Sequence, residues 1–272
     1  MIAVLLPLLL QTAVPPPAPA PVPAPVPAPD SAQPTDVDPR LGECLELAST
    51  DPVTAVVRAN QWIAGNGGVP AQQCMGLAEA GSGRWDRAEA AFVKGAMLAQ
   101  ETGDGDEANL WMQAGNAALA DGQGATALTH LDRAVAAGTL SGKALGEVQL
   151  DRARALVSAG RGDDAAAALA EAVTLVPQDP LAWLLSATLA RRSGDLDRAA
   201  SDIGFAAALA PDEPAVLLEQ GNIAALSGDD AAARTQWQRV TTAAPGSPQA
   251  ETARAQIATL DAQADVTPAP GS

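Results

Sequence analysis

The sequence predicts an all-α chain, a solenoid of stacked helical hairpins, on three observations. Aromatic residues make up 3% of the 272 residues, with no Tyr and 2 Phe, which starves a β-sandwich or barrel of the residues its core favours. Small and special residues recur in phase: Pro177, Pro211 and Pro245 lie 34 residues apart, as do Gly160, Gly194 and Gly228, Ala165, Ala199 and Ala233, and Ala153, Ala187 and Gly221. Between each Gly and its Pro runs a helical pattern such as DDAAAALAEAVTLVP, and before each Gly a second one such as PLAWLLSATLARRSG. A two-helix unit with small residues where its helices cross, repeated in series, buries its apolar faces on its neighbours.

Along the chain, MIAVLLPLLLQTA is an apolar run too short to span a bilayer and ending in small residues, so residues 1–14 are expected to be a secretory signal peptide. An uncleaved anchor, giving weak membrane association, and a mis-assigned start codon are the alternatives. The segment PPPAPAPVPAPVPAP is held near polyproline II by its prolines. At about 3.1 Å per residue it reaches roughly 45 Å, which makes 15–37 a spacer. A degenerate hairpin follows over 38–69, with Asp51 as cap and Pro52 in the first turn of its second helix. The array occupies 70–245, in units 70–102, 108–141, 146–179, 180–213 and 214–246. A polar capping helix over 247–263 and a disordered tail over 264–272 complete the chain.

These phased residues resemble the tetratricopeptide repeat family, most clearly in Trp183, Ala187, Gly194, Ala199, Ala206 and Pro211. The next copy carries Leu217, Gly221, Gly228, Ala233, Trp237 and Pro245, and the preceding one Ala153, Gly160, Ala165, Leu169 and Pro177. Two looser copies carry Trp111, Gly115, Gly122, Ala127 and Leu131, then Gly76, Gly83, Ala88 and Phe92. The resemblance implies a right-handed α-α superhelix of five to six hairpins and a capping helix. It also implies a partner peptide or protein in the concave groove lined by the first helices. Carried over position by position, that groove includes Met112, Asn116, Arg154, Leu184, Thr188, Arg191 and Asn222, with Glu147, Leu150, Val157 and Arg192 in the wider set. Glu147 and Leu181 stand where the family's carboxylate clamp would have Lys, so that specificity is not expected. The likeness to bacterial envelope members implies a periplasmic or extracellular scaffold; a cytoplasmic adaptor or chaperone-like assembly factor is the alternative.

Charge and reactive side chains narrow the function further. The net charge is −16, from 32 acidic and 16 basic residues, a field that repels a phosphate backbone and argues against nucleic acid as partner. Cys44 and Cys74 are the only thiols. In an oxidising compartment they are expected to form a disulfide stapling the degenerate hairpin to the array. Two buried free thiols, or a redox or metal role that no CxxC or nearby His supports, are the other readings. His130, the single histidine, is expected to be partly exposed on a helix surface. The acidic residues cluster at turns and first helical turns, where they cap free N–H groups. No cofactor, metal or catalytic site is expected, and Trp62, Trp85 and Trp237 read as packing anchors.

Overall fold

The computed structural model describes residues 38–266. The readings of a signal peptide over 1–14 and of a spacer over 15–37 fall outside the described residues. Proline and aspartate set where the helices begin. Pro39, Pro52, Pro180 and Pro214 each occupy the first turn of a helix, where the missing N–H would have had no partner in any case. Asp195 and Asp229 accept the backbone N–H three residues on, at 3.1 Å from Arg198 and 2.9 Å from Ala232. Such caps contribute about 1 kcal/mol each, and they give part of the acidic excess a structural cause.

Thirteen helices result among the described residues: α1 (Pro39–Thr50), α2 (Pro52–Ala64), α3 (Gly68–Gly81), α4 (Trp85–Thr102), α5 (Glu107–Ala120), α6 (Gly124–Ala136) and α7 (Gly142–Ser158), then α8 (Gly162–Leu175), α9 (Pro180–Arg192), α10 (Leu196–Leu209), α11 (Pro214–Leu226), α12 (Asp230–Ala243) and α13 (Pro248–Val266). Each odd helix pairs with the next to make six hairpins, and α13 covers the last. Each second helix also packs on the first helix of the following hairpin. The result is an all-α, right-handed solenoid. Some boundaries differ from the sequence reading: α3 starts at Gly68 rather than 70, α7 at Gly142 rather than 146, and α13 runs to Val266 rather than 263. The extra turn of α7 is supported by Lys143, whose ammonium lies 3.3 Å from the Glu147 carboxylate one turn on.

Packing inside each hairpin couples one large residue to one small one. Phe92, Leu131, Leu169, Ile203 and Trp237 hold equivalent places on successive second helices and are all buried. Facing them on the first helices stand Gly76, Gly115, Ala153, Ala187 and Gly221. A Cβ on Gly115 would sit 2.6 Å from Leu131 Cγ, and one on Gly221 would run into the Trp237 indole. The repeated small residue is therefore the socket of a repeated large one, which is how an alanine-rich chain reaches native density.

From the second hairpin on, the turn inside each hairpin holds a glycine in the left-handed region. Gly194 has φ +85° and nothing within 4 Å of where a Cβ would be, so conformation, not space, dictates glycine there. Gly194→Ala is expected to cost about 1 kcal/mol, read as a lower urea midpoint with an unchanged slope.

Candidate functional site: the inner wall

The direction of curvature follows from which helices touch across hairpins. First helices meet their successors at α5 with α7, α9 with α11 and α11 with α13. Shortest spacing on that side puts the first helices on the inside of the bend. The inner wall is thus a row of first helices, the surface a solenoid offers to an extended partner.

Of the residues expected on this wall, the structure groups some and occupies others. Asn116 is exposed on α5 and hydrogen-bonds Asp151 of α7, while the Arg154 guanidinium donates to Asp151 Oδ1 at 3.0 Å. Arg154 and Thr188 line one pocket, between α7 and α9. Met112 and Leu184 are half-buried against core clusters, and Leu150 is fully enclosed in the core.

Arg191 and Asn222 are engaged within the fold. The Arg191 guanidinium donates to Glu219 Oε1 at 2.6 Å, and Asn222 Nδ2 to Glu219 Oε2 at 3.2 Å. Asn222 Oδ1 in turn accepts the Trp237 indole N–H at 3.3 Å. This chain ties α9, α11 and α12 together, and Glu219, only 5% exposed, requires a charged partner. The adjacent Arg191 and Arg192 therefore part company: the first is structural, and the second turns to the α7–α9 pocket.

Asp151 was not singled out by sequence, since one acidic residue among 32 carries no signal. Burial raises its pKa above the ordinary aspartate value; hydrogen bonds from Asn116 and Arg154 and the charge of Arg154 work against that shift, and Glu147 adds to it. A raised folded pKa means the native state binds the proton more tightly than the unfolded chain. The group's stabilising contribution is then full below the unfolded value of about 3.9 and is lost as pH rises through the folded one. Asp151→Asn is accordingly expected to make the fold more stable at pH 7, a difference that vanishes in urea titrations below about pH 4.

His130 departs from expectation. It is 8% exposed, stacked on Trp111 with ring centroids 5.6 Å apart, and its Nε2 lies 2.9 Å from Glu89 Oε1 on α4. Arg133 covers the same Trp111 ring at 4.5 Å. The register of α6 against α4 turns His130 inward between hairpins, a relation the helix's own periodicity does not contain. Trp62 and Trp237 are buried packing residues and Trp85 is half-buried. Cys44 of α1 and Cys74 of α3 form a disulfide with Cα atoms 5.7 Å apart.

No group of three or more His, Cys, Asp or Glu among the described residues is arranged to hold a metal ion. No described helix is long and apolar enough to cross a membrane.

A tetratricopeptide repeat family model matches residues 150–204 and 184–248. No curated protein sequence matches the chain. Among solved structures, the Cut9–Hcn1 hetero-tetramer of the APC/C is similar with a TM-score of 0.66 at 14% identity, over 85% of this chain and 44% of that one. The chain thus spans less than half the length of that protein. PilF of Pseudomonas aeruginosa is similar at 0.64 and 15% identity, over 80% and 98% of the two chains. YrrB, a tetratricopeptide protein with an unusual peptide-binding site, gives 0.50 and 19% identity, over 79% and 97%. Residues 150–248 match the tetratricopeptide repeat model, and the described residues fold as a solenoid of the same architecture as these structures.

Proposed function

We propose that the protein is an exported scaffold of a bacterial cell envelope that holds a partner protein or peptide along its inner wall. The observation that carries the binding half is the α7–α9 pocket, open on the inner wall and lined by side chains of both first helices. A peptide-binding site on the similarly folded YrrB supports the same reading. What supports export is the apolar run over 1–13 together with the Cys44–Cys74 disulfide, a bond that persists in oxidising compartments.

Intact mass of the protein recovered from its native host tests export. Loss of the first residues and of two hydrogens is expected; a full-length chain or two free thiols would overturn it. Photocrosslinkers placed at Asn116 and Thr188 on the inner wall, and at Thr174 and Thr235 on exposed faces of second helices, test the groove. Partner adducts are expected from the first pair, and adducts only from the second pair would refute the placement.

A further inference from the structure

The inner wall is not uniform. Neighbouring first helices touch at α5–α7 and α9–α11, whereas between α7 and α9 the wall opens into a pocket of about 260 Å³. Its floor is apolar, made by Val157, Leu169, Leu185 and Leu189, and Arg154 and Arg192 stand on its two sides. Resting on the reading of the inner wall as the binding groove, we propose that this pocket takes one aliphatic or aromatic side chain of an acidic protein segment. Carboxylates flanking that side chain meet Arg154 and Arg192.

Size comes first. A cavity near 260 Å³ falls below the roughly 300–1,000 Å³ of small-molecule and cofactor sites, and suits a single anchoring side chain. Its apolar lining gives that side chain the favourable burial of about 1.5–3 kcal/mol.

Charge comes second. On a chain of net charge −16, this pocket is lined by two guanidiniums and no carboxylate. Arg192 is exposed and has no ion-pair partner among the described residues. Arg154 gives one N–H to Asp151 while its side chain stays 49% exposed, leaving donors for a second acceptor. Phosphate is the poorer anion here, because a dianion beside Asp151 and Glu147 meets like charge at short range. A peptide carboxylate brings a single charge and forms the short, charge-assisted bonds that guanidinium favours.

Panning a random peptide display library on the full chain tests the proposal with no partner in hand. Enriched peptides are expected to share a Leu-, Ile-, Met- or Phe-type residue flanked by Asp or Glu. Binding of their synthetic forms should weaken about tenfold or more in an Arg154→Gln/Arg192→Gln double variant and in Thr188→Trp, which fills the pocket, with helical circular dichroism unchanged. Arg192 is exposed and Arg154 half exposed, and neither belongs to a core cluster, so their loss leaves the core intact. Enriched peptides without carboxylates, or full affinity for the arginine double variant while Thr188→Trp blocks binding, overturn the acidic anchor alone. Peptides that bind but ignore both Thr188→Trp and Asn116→Trp overturn the groove reading itself. A library that yields no binder overturns both.

Discussion

Trp237→Ala is expected to destabilise the protein by about 3–5 kcal/mol and to melt its C-terminal end ahead of the rest. The indole is 2% exposed and forms one cluster with Leu217, Ala233, Val240, Ala250 and Ala253 from α11, α12 and α13. Gly221 lies against its ring with no side chain of its own, so truncation leaves a cavity that no neighbour can grow into. Its N–H also satisfies Asn222 Oδ1, and the loss reaches Glu219 and Arg191 through that contact. In a solenoid each hairpin contacts only its neighbours, so stability is a sum of local terms and a weak end can fray by itself. Residues of α11 to α13 are therefore expected to lose hydrogen-exchange protection while α3 to α8 keep theirs. A single cooperative transition, merely shifted to lower temperature, would contradict this local picture.

The same packing explains how much of the architecture is legible in the chain itself. Gly194, Ala187 and Pro211 report constraints inside one hairpin: a left-handed turn, a close crossing, a helix stop. Each recurs because the hairpin recurs, and their period is visible in one dimension. Arg191 is different. Whether it faces a ligand or a neighbour depends on Glu219, 28 residues later in the chain, and no repeated residue announces that pair. His130 is turned inward by Glu89, 41 residues earlier, and by Trp111 beneath it. Asp151 becomes identifiable only once Asn116 of the preceding first helix is seen beside it. Periodicity encodes the hairpin, whereas the chemistry of the inner wall is set between hairpins. The pocket at α7–α9 belongs to this second kind, since its apolar floor and its two arginines come from successive units.

Replacing both Cys44 and Cys74 by alanine is expected to remove about 3.5 kcal/mol of stabilisation from the N-terminal end, from the entropy of closing a loop across a sequence separation of 30. That end depends on the bond more than any other part of the array would. What α1 and α2 bury is chiefly Ala48, Ala55 and Ala59, with Trp62 as the one large side chain. Small side chains remove little apolar area from water, so the hairpin has slender means of holding itself against α3. Arg40 stacked over Trp62 at 4.6 Å adds about 0.5–1 kcal/mol at an exposed site. The double variant should accordingly keep the helices from α3 onward, lose exchange protection over α1 and α2, and become sensitive to protease near Asp51. Dithiothreitol should produce the same pattern in the natural chain and none in the variant. Equal protection of α1 and α2 with and without the disulfide would show that alanine packing alone secures the degenerate hairpin.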